Sequence, residues 1–151
     1  MGLTDALFEA PLQRLVGRFV PAPLPPAGTF NGQTVLVVGA TSGLGLAAAV
    51  HFATLGANVI ITSRVASRAD AAKRHIEEAA GPDRKGTVSW LELDLERYDS
   101  CTSFMAKLKS SLPGPAALDV AIVNAGIVNS HWEESAHGWS VPTFSFDSVL
   151  P

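Results

Sequence analysis

The clearest chemistry in this sequence lies in Gly39-Ala40-Thr41-Ser42-Gly43-Leu44-Gly45, whose glycines follow Gly-x-x-x-Gly-x-Gly spacing. Glycines so placed suit the binding of a pyrophosphate. Gly39 permits a sharp turn, Gly43 lets backbone approach phosphate with no Cβ in the way, and Gly45 allows close helix packing. Amides opening a helix here, among them those after Thr41 and Ser42, face phosphate oxygens, and the helix dipole adds to the attraction. A Walker-type phosphate loop is excluded, because no Gly-Lys-Ser/Thr follows. A second signal is Thr62-Ser63-Arg64. Sites for NAD usually place an acid about 20 residues past the glycines to bind the ribose 2′-hydroxyl. No acid occurs between Gly45 and Arg68. Arg64 instead offers a planar fork for a 2′-phosphate, so NADP is favoured over NAD, with a solvated surface arginine as the alternative.

Such a loop works only if a strand delivers it and a helix leaves it. Thr34 to Val38 is a short apolar run, partly β-branched and bounded by glycine, as expected of a strand buried on both faces. Leu44 to Leu55 has helical spacing and stops at Gly56. Asn58 to Thr62 is a second strand, Ala66 to Ala79 a second helix, Thr87 to Leu93 a third strand, Asp99 to Ser111 a third helix and Leu118 to Val123 a fourth strand. Strand–helix alternation at this spacing predicts an α/β fold with a parallel sheet. Right-handed crossovers then give a Rossmann-type doubly wound sheet of order 3-2-1-4, the N-terminal half of such a fold.

Leu93-Asp94-Leu95 at the end of the third strand and Val123-Asn124-Ala125-Gly126 at the end of the fourth complete a pattern. Together with the glycine turn, they resemble the short-chain dehydrogenase/reductase family over residues 33 to 138. The Phe30-Asn31-Gly32-Gln33 lead-in and Trp90-Leu91-Glu92-Leu93-Asp94-Leu95 are most similar to fungal members found in natural-product pathways. The resemblance implies that Asp94 bonds the adenine amino group and that Leu95 adds a backbone contact beside it. It further implies that Asn124, Ala125 and Gly126 line the cofactor near the adenosine ribose. All these positions lie at carboxyl ends of parallel strands, where open α/β sheets bind ligands.

Full-length relatives continue to a catalytic Tyr-x-x-x-Lys pair, in which the tyrosine is the general acid or base. In this sequence the single tyrosine is Tyr98, the residue four positions on is Thr102, and the last lysine is Lys109. Tyr98 is therefore expected at the surface or at a helix start, and no catalytic residue is assigned. Glu133 to Trp139 still resembles the family, whereas Ser140 to Pro151 has no helical periodicity. The sequence is accordingly expected to divide into a leader helix with a proline-rich linker (1–30), a partial dinucleotide-binding domain (31–138) and a divergent tail (139–151), as a family member truncated after its fourth strand. In the leader, Leu3, Leu7, Leu12, Leu15, Val16 and Phe19 form an apolar stripe for the domain or a partner, with weak membrane-surface binding as the alternative.

Composition narrows the partners. Of 151 residues 47% are apolar and 17% charged, which describes a globular chain. A net charge of −3 without a basic run argues against nucleic acid. No stretch approaches the roughly 20 apolar residues of a membrane-spanning helix, and Asp5 and Glu9 spoil a secretory signal. The lone Cys101 fits a reducing compartment, so the cytoplasm is expected, with that thiol half-buried. His131 and His137 lack a metal-ligand partner set. Trp132 and Trp139 are expected to make hydrophobic contacts with the sheet edge. The expected function is NADP(H)-dependent hydride transfer on a carbonyl or alcohol of a small secondary metabolite, with little or no turnover by these 151 residues alone. The alternative is a non-catalytic nucleotide-binding or docking module, forming a homo-oligomer or seated on a full-length relative.

Overall fold

The computed structural model describes residues 25–112, 118–126, 133–134 and 140–141. The leader stripe, His131, His137, Trp132, Trp139 and most of the tail lie outside the described residues.

The first strand, β1 (Thr34–Val38), is buried along its whole length. It feeds α1 (Gly43–Thr54), then β2 (Asn58–Ser63), α2 (Ala66–Ala80), β3 (Val88–Glu92), α3 (Tyr98–Ser111) and β4 (Val120–Val123). All four strands are parallel in the order β3-β2-β1-β4, as the alternation predicts. A separate antiparallel ladder joins β5 (Glu133–Glu134) to β6 (Ser140–Val141). This ladder spans the position where the tail was expected to begin.

Period-two alternation in β1 explains the three layers. Val35 and Val37 pack with Ala49 and Ala53 of α1 and with Ala72 and Ile76 of α2. Leu36 and Val38 face the other way, toward Phe104 and Leu108 of α3. Fully burying a Val, Leu, Ile or Phe side chain contributes about 1.5–3 kcal/mol, so the sheet is held from both faces. The small alanines of α1 bring that helix close to the sheet, and the helix ends in a Schellman motif: Gly56 N–H bonds Ala53 O at 3.1 Å and Ala57 N–H bonds Phe52 O at 3.0 Å.

Two further contacts fix register. The Thr34 amide donates to Asp119 Oδ2 at 2.7 Å, and the Asp119 amide returns a bond to Thr34 O at 3.0 Å, which locks the start of β4 against β1. Ahead of β1, Phe30 N–H bonds Leu55 O at 3.1 Å. The Phe30 ring meets Phe52 edge to face at 4.9 Å, a contact worth about 0.5–1.5 kcal/mol beyond its buried area. After β1, β2 and β3 have been laid down on one side, the chain crosses back to place β4 on the other. The crevice between the carboxyl ends of β1 and β4 is thus the topological switch point, where open α/β sheets take their ligands. No helix among the described residues is long and apolar enough to cross a membrane.

Candidate functional site

The glycine turn occupies that switch point. Gly39 leaves β1 with φ +83°, a conformation that L side chains rarely adopt. A Cβ at Gly39 would lie 2.7 Å from Ala125 Cα and 2.8 Å from Ala125 N, so the turn presses directly on the end of β4. Gly45 is tighter still, since a Cβ there would collide with Gly39 O and lie 2.9 Å from Asn124 Nδ2. Asn124 closes this contact: its amide donates to Val38 O at 3.0 Å, and its side-chain Nδ2 reaches Gly39 O at 3.5 Å. The Gly39 amide points at Thr62 Oγ1, 3.4 Å away, which ties the turn to β2 as well.

The start of α1 is open. Ser42 takes the N-cap position in extended conformation, its side chain makes no cap hydrogen bond, and the first turn carries no acid. Several first-turn amides of any α-helix lack an intrahelical acceptor. Here Leu46 N–H makes its bond to Ser42 O, while among the described residues no side chain caps the amides before it. Gly43 has φ +58°, with nothing among the described residues within 4 Å of where its Cβ would stand. Leu44 projects from this turn with 82% of its surface exposed. The result is a row of backbone donors and open space at the positive end of a helix dipole, which is how an anion site is built.

The flank of the crevice carries two arginines, Arg64 and Arg68. Arg64 follows β2, and its guanidinium pairs with Glu96 Oε1 at 3.1 Å. Ser63 is buried, and its hydroxyl is used locally: it accepts from Val65 N–H at 3.1 Å and donates to Val65 O at 2.9 Å. Beyond it, Arg68 in the first turn of α2 joins Thr41, Ser42, Leu46, Ala71 and Ala72 around a shallow depression of about 390 Å³. Arg97 is committed elsewhere, 2.7 Å from Asp99 Oδ2, and that hydrogen bond and charge hold its guanidinium even further above its ordinary range.

At the end of β3, Asp94 anchors a turn. Its amide donates to Ser100 Oγ at 2.9 Å, and its Oδ1 accepts from Glu96 N–H at 3.1 Å. Leu95 is exposed beside it. Cys101 is half-buried, as expected, with Sγ 3.7 Å from Asp94 O. Tyr98 is the first residue of α3 and 60% exposed, which matches the expected helix start. Asn124, Ala125 and Gly126 are exposed along the mouth, at the end of β4.

The structure therefore brings Gly39, Gly45, Asn124 and Ala125 into one contact and sets Thr41 and Ser42 beside Arg68. It places Arg64 across from Glu96. Sequence reasoning missed both Arg68 and Glu96. A second arginine four residues after Arg64 was the available sign for the first. The pairing of Glu96 spans 32 positions and emerges only once β2 and β3 are neighbours.

A doubly wound α/β sheet with a glycine turn at its switch point defines a class of nucleotide-binding folds. The short chain dehydrogenase family model matches residues 33–144, past the point where the sequence resemblance was expected to stop. The chain belongs to that family. It is 34% identical over 120 residues to the short-chain dehydrogenase/reductase ffsI of Aspergillus flavipes, covering 79% of this chain and 34% of that protein. Among solved structures, the oxidoreductase yciK of Escherichia coli is similar at TM-score 0.58 and 30% identity, over 68% of this chain and 40% of that one. A metagenomic short-chain oxidoreductase in complex with NADP is similar at TM-score 0.53 and 32% identity, over 65% and 41%. The chain spans about a third of the length of the curated relatives it matches.

Proposed function

We propose that this chain carries the NADP(H)-binding portion of an oxidoreductase that acts on a carbonyl or alcohol of a small secondary metabolite. The observation that carries the reading is the uncapped start of α1, open at Gly43 and pressed through Gly39 and Gly45 against β4. The residues fit a dinucleotide: amides from Ser42 to Gly45 hold the pyrophosphate, and Thr41 stands beside them. Asp94 and Leu95 take the adenine, while Asn124, Ala125 and Gly126 border the ribose. Arg64 meets the 2′-phosphate with Arg68 as a second cation, and Ser63 supports Arg64 by fixing the backbone around it. The absence of an acid at the end of β2 supports NADP over NAD, and a similar structure holds NADP. When bound, the nicotinamide supplies or accepts hydride. The resemblance of Phe30–Gln33 and Trp90–Leu95 to fungal members found in natural-product pathways supports that setting, and the unpaired Cys101 supports the cytoplasm, which imaging of a fluorescent fusion tests.

The test is a calorimetric titration of NADPH into the 151-residue chain, repeated on Gly43→Trp. Saturable binding lost in the variant supports the reading, and binding unchanged by the variant sinks it. A second reading, a nucleotide-holding module without turnover, is favoured by Tyr98: it is exposed at the head of α3, with Thr102 where a lysine is needed. In that case the module docks on a second copy or a full-length relative through β4, whose Val123 is 79% exposed. Light scattering that shows a monomer at all concentrations, alone and with a relative, would remove the docking.

A further inference from the structure

We propose that Glu96 tunes the choice between phosphorylated and unphosphorylated dinucleotide by competing for Arg64. The inference rests on Arg64 being the 2′-phosphate contact.

The competition is built into the backbone. Leu93 N–H bonds Ser63 O at 3.0 Å, so the ends of β2 and β3 stay side by side. Asp94 then fixes the turn that follows, accepting from Glu96 N–H through Oδ1 and from Arg97 N–H through its carbonyl at 3.3 Å. On the opposite side, the Ser63 hydroxyl holds the backbone around Arg64 by its two bonds to Val65. Two anchored turns therefore present an arginine and a carboxylate to each other across the adenosine side of the crevice, 3.1 Å apart.

A 2′-phosphate arriving at Arg64 meets this carboxylate first. It either displaces Glu96, losing the ion pair, or shares the guanidinium and brings two anions within a few ångströms of each other. Both routes weaken NADP(H) binding, and neither touches NAD(H), whose 2′-hydroxyl is neutral. Both partners are about half exposed (55% and 47%), so solvent screens the pair. Exposed pairs of this kind correspond to about a two- to fivefold change in a binding constant. The effect must shrink with salt, because screening acts within the first few ångströms at high ionic strength.

The experiment uses the full 151-residue chain and four proteins: wild type, Arg64→Met, Glu96→Gln and Glu78→Gln. The last makes the same charge change on the exposed surface of α2, away from the crevice. Each is titrated with NADPH and with NADH at low and high salt. Arg64→Met should weaken NADPH and leave NADH alone. Glu96→Gln should tighten NADPH about two- to fivefold at low salt, less at high salt, with NADH and Glu78→Gln unchanged. If Arg64→Met does not alter NADPH affinity, or if neither nucleotide binds, the 2′-phosphate assignment falls and Glu96 falls with it. If Arg64→Met weakens NADPH while Glu96→Gln leaves it unchanged, or shifts both nucleotides equally, only the Glu96 proposal is overturned.

Discussion

Replacing Gly39 by alanine should destabilise the chain far more than replacing Gly43, although both glycines have positive φ. At Gly39, φ +83° imposes a left-handed conformation costing about 1–2 kcal/mol for an L residue. The new methyl would also lie 2.7 and 2.8 Å from Ala125 backbone atoms, which cannot rotate aside. Overpacking of that kind costs about 1–3 kcal/mol, so the total is about 2–5 kcal/mol. At Gly43, φ is +58° and nothing among the described residues stands within 4 Å, leaving only the backbone cost of about 1–2 kcal/mol. Urea denaturation followed by tryptophan fluorescence reads the difference as a gap of about 1 M between midpoints, given an ordinary urea slope. NADPH affinity should move differently, because the open space at Gly43 is the place assigned to the pyrophosphate. Gly43→Ala should bind NADPH about tenfold more weakly while remaining the more stable variant. Equal destabilisation by the two substitutions would refute the reasoning, since the turn would then not press on β4.

Three further outcomes are expected. Ser42→Asp should stabilise the chain by about 0.3–1 kcal/mol in the same urea assay, by placing a carboxylate at the uncapped start of α1, and it should weaken NADPH binding by repelling the phosphates. Thr62→Val removes the oxygen that faces the Gly39 amide at 3.4 Å, and should cost about 0.5–1.5 kcal/mol in that assay. The 151-residue chain should not oxidise NADPH above background with a panel of ketones, because general acid–base assistance contributes about 10²–10⁴ in rate and Tyr98 has no lysine four residues on. Turnover that disappears in Gly43→Trp would contradict this.

The layers of the fold were open to reading because local patterns carried them. Thr34–Val38 is an uninterrupted apolar run between polar and glycine residues, and its predicted bounds are those observed. Helix ends were also legible, since Gly56 and Gly81 stop α1 and α2 for local reasons. Strand ends at the sheet margins were less so. Thr87 was expected in the third strand but lies before it, with N–H and Oγ1 bonded to Asn58 Oδ1 at 3.1 Å. Leu118 and Asp119 fall before β4, where Asp119 turns its carboxylate back onto Thr34. Within the candidate site, the glycine turn declared itself because its spacing is local. The contacts that give it shape, Gly39 on Ala125 and Gly45 on Asn124, join positions that only the β1–β4 pairing brings together. Glu96 stayed hidden for the same reason, and so did the neighbourhood of Arg68.

The claim that the crevice takes an NADP-type dinucleotide is tested most directly by the ratio of the NADPH and NADH dissociation constants on the unmodified 151-residue chain. Isothermal titration calorimetry at low salt should give saturable, one-to-one NADPH binding that is clearly tighter than NADH binding, with Arg64 and Arg68 acting on the added phosphate. NADH binding as tight as NADPH, or no binding of either nucleotide, would contradict it.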